Sequence, residues 1–184
     1  DKRIEYKNNN ILLLLQKWYP DYEVLIWNFW YILKHPKKNI IKIYPEKRYF
    51  LNEKKYYDLF SDKLFIPKII KIITQNIDYC RFNAIEFENI SYNAIKFKSV
   101  LDISIKELVN ILNIIHSNKL NLMTLLHWNL HHTNFFFKDW KLWIFDFVSV
   151  NYWEIESDYS ILYFNSYYND DYLEQLIKHS INNI

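Results

Sequence analysis

From Tyr22 to Tyr44 apolar and polar residues follow one another in short runs broken by polar turns, which is the pattern of β-structure. Glu23 to Ile26 is one β-rich run and Tyr31 to His35 a second. Pro36-Lys37-Lys38-Asn39 forms a polar turn, and Ile40-Ile41-Lys42-Ile43-Tyr44 follows as a third strand. In that strand Ile41 and Ile43 share one face, while Ile40, Lys42 and Tyr44 share the other. After Pro45 the period turns helical: Tyr49, Phe50, Glu53, Tyr56, Tyr57 and Phe60 recur at three- and four-residue spacing. Glu53 therefore sits on the aromatic face, where a carboxylate without a partner is costly. Phe65 to Ile70 and Arg81 to Phe87 are again β-like, and the second leads into Glu88-Asn89-Ile90. Ser104-Ile105-Lys106-Glu107 has the spacing of a capping box. It opens a helix with Leu108, Val109, Leu112 and Ile115 on its buried side. Tyr172 to Ile181 reads as a closing amphipathic helix capped by Asp170-Asp171. Strands with one helix first, and mainly helix later, predict an α+β fold in two lobes. Residues 1–20, polar and then briefly apolar, carry no assigned function.

Composition narrows the class. The 184 residues suffice for one sizeable domain, and apolar and aromatic shares of 51% and 20% predict a packed globule. Cys80 is the only cysteine, which excludes an internal disulfide framework, favours a reducing compartment and fits a small core residue. The longest wholly apolar run, Ile11 to Leu15, is far short of the ~20 residues a spanning helix needs. A net charge of +2 recommends neither nucleic acid nor a membrane surface as a partner. With no signal-peptide pattern, the expectation is a soluble, cytoplasmic protein.

The chemistry concentrates in two segments. One is Leu126-His127-Trp128-Asn129-Leu130-His131-His132-Thr133-Asn134, and the other, about a dozen residues on, is Lys141-Leu142-Trp143-Ile144-Phe145-Asp146-Phe147. A carboxylate inside the run Ile144-Phe145-Asp146-Phe147 needs a partner or a metal. His127 and His131 stand four apart, as zinc ligands on a helix would, but no glutamate completes a zincin pattern. Together the segments resemble the catalytic loop and metal-binding Asp-Phe of the protein-kinase-like superfamily. The short loop is most similar to its lipopolysaccharide-kinase and aminoglycoside-phosphotransferase branches.

That resemblance runs from about Tyr22 to Tyr163 and implies a small bilobal fold. An N-terminal extension (1–21) precedes an antiparallel five-stranded N-lobe with hinge (22–90) and a shortened, mainly helical C-lobe (91–184), all one domain. It implies that Trp27, Asn28, Phe29 and Trp30 lie in the phosphate-binding loop, Lys42 contacts the nucleotide phosphates, and Glu53 pairs with that lysine. Glu86 and Glu88 fall in the hinge that binds adenine, Asn134 and Asp146 match the magnesium ligands, and Asp158 matches an aspartate that anchors the catalytic loop. His127 is then structural. The implied cofactors are ATP and Mg2+, and the implied reaction is phosphoryl transfer to a hydroxyl of a small molecule, saccharide or protein. Positioning and charge neutralisation dominate such chemistry, so one lysine, one amide oxygen and one carboxylate are apt residue types.

Two departures change the expectation. Asn129 stands where the family has its catalytic aspartate, and an amide is no general base, a role worth about 10²–10⁴-fold in rate. The alternative function is therefore a pseudokinase that holds nucleotide or a partner without turnover. Second, the chain has no glycine, where about 7% is usual. Trp27, Trp30 and Trp128 fall where the family favours glycine, and Trp140 follows Asp139 where Asp-Gly makes a hairpin turn. One hypothesis joins these facts: codons that the source reads as glycine, namely UGA, are written here as tryptophan. Asparagine, abundant in the chain, can serve the remaining positive-φ positions.

Overall fold

The computed structural model describes residues 11–27, 30–44, 46–77, 80–91 and 93–181, and these divide into two compact units. The fold is α+β, with antiparallel sheets and helices.

The first unit comprises residues up to Phe50 together with Lys68–Tyr92. A helix over residues 11–18 (α1) precedes strands β1 (Glu23–Trp27), β2 (Trp30–Lys34) and β3 (Asn39–Tyr44). Helix α2 (Lys47–Phe60) then passes into the second unit, and β4 (Ile69–Ile77) and β5 (Cys80–Glu88) complete the sheet. The strand order is β1-β2-β3-β5-β4, antiparallel throughout. As the alternation in β3 requires, Ile41 and Ile43 share a core with Leu15, Leu33, Tyr31 and Ala84. The apolar residues near the start of the chain thus have a structural task, since Leu15 of α1 covers this face of the sheet.

The fourth strand corrects its sequence-based boundary. It begins at Ile69, not Phe65, and runs on to Ile77. Pro67 cannot donate to a ladder, so the segment before it stays irregular. The polar stretch Thr74-Gln75-Asn76, which lacks a strand-like pattern, pairs with β5 as an edge strand and needs only one partner.

The second unit comprises Leu51–Pro67 and the chain from Asn93 onward. It contains β6 (Ile95–Lys96), α3 (Ile105–His116), β7 (Lys119–Leu120), β8 (Met123–Leu126), β9 (Phe135–Lys138), β10 (Lys141–Ile144) and β11 (Asn151–Trp153). Helices α4 (Glu156–Asn165) and α5 (Asp170–Ile181) close it. Two three-stranded sheets, β10-β9-β6 and β11-β8-β7, accompany its helices. Helix α3 buries Leu108, Val109, Leu112 and Ile115 as its spacing predicts, and also Ile111 and His116.

Both expected caps are corrected. Ser104 makes no side-chain cap; the capping box lies five residues earlier, where Leu101 N–H donates to Ser99 Oγ and Ser99 N–H to Asp102 Oδ2. That box closes the single helical turn Val100–Asp102, whose Val100 is fully buried. Helix α5 is capped by Asn169, whose Oδ1 accepts from Tyr172 N–H at 2.8 Å. Asp170 and Asp171 lie inside its first turn, where carboxylates favour the helix dipole.

Candidate functional site

Strand β8 delivers the chain to His127, and β9 begins at Phe135, so residues 127–134 form one loop. Its odd-looking sequence is explained by what each residue meets. His127 is fully buried, its ring edge-on to Phe147, and its Nε2 is 3.2 Å from Phe145 O. Leu130 is also fully buried, and its carbonyl accepts from Asn165 Nδ2 of α4 at 2.9 Å. A final 3₁₀ turn brings Asn134 inward, with Asn134 N–H donating to His131 O and Phe145 N–H donating to Asn134 O.

Asp158 organises the start of this loop. From α4 its fully buried carboxylate accepts from His127 N–H at 3.0 Å and Trp128 N–H at 2.9 Å. His116 Nε2 lies 2.9 Å from the same carboxylate, which assigns the proton to Nε2 because a carboxylate only accepts. His116 was not singled out from sequence, although a histidine one turn after Leu112 on a buried helix face signals a required partner. Asn52 was missed as well: its Nδ2 donates to Val148 O at 3.0 Å and Val150 O at 3.2 Å, holding the segment after Asp146 against α2. Nothing in the spacing around Asn52 announces that role.

Asn129, Asn134 and Asp146 are brought together. Asn129 Nδ2 donates to Asp146 Oδ2 at 2.7 Å, and Asn134 Nδ2 donates to Asn129 O at 2.8 Å. Asp146 adopts a left-handed backbone (φ 66°, ψ 62°), and the Tyr57 hydroxyl hydrogen-bonds its backbone. Burial, with Glu53 and Asp146 nearby, pushes the Tyr57 phenol well above the usual tyrosine range. Glu53 is itself only 1% exposed, on the buried face of α2 with Tyr56, Tyr57 and Phe60. The carboxamide oxygen of Asn134 and the Asp146 carboxylate supply hard oxygen donors that fit Mg2+, and the bond from Asn134 Nδ2 fixes which end of that amide remains.

The other site residues belong to the first unit. Lys42 is buried in β3 with its Nζ 5.5 Å from the Tyr44 ring centroid. Glu86 lies within β5, opposite Ile41 of β3 and Lys71 of β4, and its carboxylate accepts from Asn39 Nδ2. At the end of β5 Glu88 N–H donates to Lys68 O at 3.0 Å and Glu88 O accepts from Ile90 N–H at 3.1 Å. Asn28 and Phe29 lie outside the described residues. Trp27 and Trp30 are paired at the ends of β1 and β2, and their side chains also lie outside the description.

Of the four suspected glycine positions, Trp128 and Trp140 have left-handed backbones, whereas Trp27 and Trp30 are paired strand residues without one. Trp128 has φ 61° and Trp140 φ 62°. Among the described residues, the positive-φ set otherwise comprises Asn93, Asn121, Asp139, Asp146, Tyr167 and Tyr168. Asparagine and aspartate tolerate this region. Tyr167 and Tyr168 follow the C-cap of α4, where Tyr167 N–H donates to Phe164 O and Tyr168 N–H to Tyr163 O. These are the paired bonds of a Schellman helix end, which place the residue after the cap in the left-handed region. Asp139 and Trp140 form the two-residue turn of the β9–β10 hairpin, whose doubly positive φ is the type I′ geometry that favours Asp-Gly. At Trp128 the conformation goes with the hydrogen bond from its N–H to Asp158. A left-handed conformation costs a non-glycine residue roughly 1–2 kcal/mol. Trp140 is 89% exposed and gives up only an edge-on contact with Phe137 at 6.4 Å, so Trp140→Gly is expected to raise Tm by about 2–4 °C in thermal unfolding. Trp128→Gly should gain less, because the indole packs edge-on to Trp153 at 6.0 Å. A fall in Tm for Trp140→Gly would contradict the strain argument, and a UGG codon at 128 or 140 would contradict the codon hypothesis.

Neither a protein-family model nor a curated protein sequence matches the chain. Solved structures do. Choline kinase LicA from Streptococcus pneumoniae is 16% identical with a TM-score of 0.65, over 94% of this chain and 80% of that one. The ADP-bound aminoglycoside phosphotransferase APH(2'')-Ib is 13% identical with a TM-score of 0.65, over 94% and 81%. The amicoumacin kinase hAmiN, in complex with AMP-PNP, Ca2+ and Ami, is 14% identical with a TM-score of 0.62, over 93% and 76%. The chain therefore has the protein-kinase-like fold, as the two sequence segments implied. Among the described residues no helix is long and apolar enough to cross a membrane.

Proposed function

We propose that this chain is an ATP- and magnesium-dependent phosphotransferase of the small-molecule-kinase type, acting on a hydroxyl acceptor, with a chemical step slowed by Asn129. The observation that carries this reading is the grouping of Asn134 and Asp146 around Asn129 in a loop anchored by Asp158. Asn134 Oδ1 and the Asp146 carboxylate would hold the cation, which when bound neutralises phosphate charge. Lys42 would bind the α- and β-phosphates, Glu53 would pair with it, and residues 27–30 and the segment containing Glu86 and Glu88 would bind the rest of the nucleotide. The neighbours named above include ADP- and AMP-PNP-bound kinases, which supports nucleotide as the ligand.

One observation favours the second reading, a nucleotide-binding pseudokinase. Asn129 directs its amide N–H at Asp146, so it offers no basic atom there to an incoming hydroxyl. The two readings share a first test. Calorimetric titration of ATP with magnesium should show binding to the parent, and Asp146→Asn should weaken it by about tenfold or more through loss of a charged ligand. No heat from the parent would sink both readings. ATP binding that is indifferent to magnesium and to Asp146→Asn would remove Asp146 from the site.

A further inference from the structure

Asn129 is more than a missing base. Its amide nitrogen faces Asp146 Oδ2 at 2.7 Å, and only the nitrogen end can face a carboxylate, since both carboxylate oxygens accept. On its other side the Asn129 carbonyl accepts from Asn134 Nδ2 at 2.8 Å and from His131 N–H at 2.9 Å. A single residue thus ties together both oxygen-bearing side chains assigned to the cation: the backbone oxygen orients Asn134, and the side chain orients Asp146. Asn134 is 7% exposed, so its amide has little room to reorient.

We propose that Asn129 is a positioning residue that latches Asp146, its amide N–H giving Oδ2 the positive partner that an aspartate at 129 would leave to the cation. This rests on the assignment of Asp146 as a cation ligand under the proposed function. The physical contrast is with aspartate at the same position. Two carboxylates at hydrogen-bond distance repel, and one must be protonated or bridged by a cation. The neutral amide removes that conflict by donating a proton in a hydrogen bond while keeping its own charge at zero. The site therefore keeps its shape with or without a divalent cation. The exchange has a cost, because a site with one carboxylate fewer attracts the cation more weakly.

The test uses the parent and Asn129→Asp without nucleotide. Thermal unfolding is recorded in chelator and in saturating Mg2+, and Mn2+ binding is followed by electron paramagnetic resonance. The parent is expected to unfold at nearly the same temperature in both conditions. Asn129→Asp should lose several degrees in chelator, regain them in Mg2+, and bind Mn2+ tighter by on the order of tenfold. Equal cation responses and equal Mn2+ affinities in the two proteins would overturn the proposal. If Asn129→Asp fails to fold, the parent alone decides. In chelator the Asn129 carboxamide protons should be shifted and protected from exchange in nitrogen-edited NMR, and a freely exchanging carboxamide would overturn the latch. None of these readouts involves ATP, so a parent that binds no ATP counts against the proposed function alone.

Discussion

Asn129→Asp is expected to raise phosphoryl transfer from ATP by about 10²–10⁴-fold at saturating magnesium, the typical worth of a positioned general base. Asn129 stands between the two side chains proposed to hold the cation. It sits in a loop fixed at one end by Asp158 and at the other by Asn134, within 2.7 Å of Asp146. Aspartate has nearly the same shape as asparagine, so the substitution adds a proton acceptor without moving the backbone. Saturating magnesium is essential to the measurement, because the added carboxylate faces Asp146 and needs a cation to offset the repulsion. A suitable readout is ATP turnover with a panel of hydroxyl-bearing acceptors, aminoglycosides and amino alcohols among them. A large gain would identify the parent as a phosphotransferase limited by its base. Equal inactivity of both proteins, each binding ATP, would instead favour the pseudokinase reading.

Asp158→Ala is expected to be the most destabilising single change in the second unit. The carboxylate is fully buried and accepts from two consecutive backbone N–H groups and from His116. Removing it strands all three donors where water cannot replace them. Loss of one partner from a buried charged network costs about 3–5 kcal/mol, which for a chain of this size lowers Tm by roughly 6–20 °C. His116→Ala should cost less, about 1–3 kcal/mol, because the carboxylate keeps both backbone donors. Thermal unfolding monitored by circular dichroism separates the two. If Asp158→Ala proved no worse than His116→Ala, the backbone clamp would not be what holds the loop.

Much of the fold is legible in the residues because it depends on local period. The alternation in β3 places Ile41 and Ile43 on the core face, and the helical spacing after Pro45 puts Glu53 among buried aromatics; both are observed. Helix α3 opens after Ser104 as expected, but the side-chain caps expected at Ser104 and at Asp170 and the strand start expected at Phe65 differ in the structure. Each turns on a local backbone hydrogen bond that spacing does not show: Ser99 with Asp102, not Ser104, makes the capping box, Asn169 rather than Asp170 caps α5, and Pro67 has no N–H to give a ladder. The site divides in the same way. The order of His127, Asn129, Asn134 and Asp146 points to the loop, whereas His116 and Asn52 support it from elements distant in the chain.

The glycine-free composition and the four suspect tryptophans were visible in the residues alone, and so was an asparagine at 129 where the resemblance implies an aspartate. Only the tertiary structure shows that Trp128 and Trp140 have left-handed backbones, because φ at a loop residue follows from where its neighbouring N–H groups must bond. It also decides which end of the Asn129 amide faces Asp146. An amide can present either end, and the carboxylate of Asp146 seventeen residues away, by accepting only, selects the nitrogen.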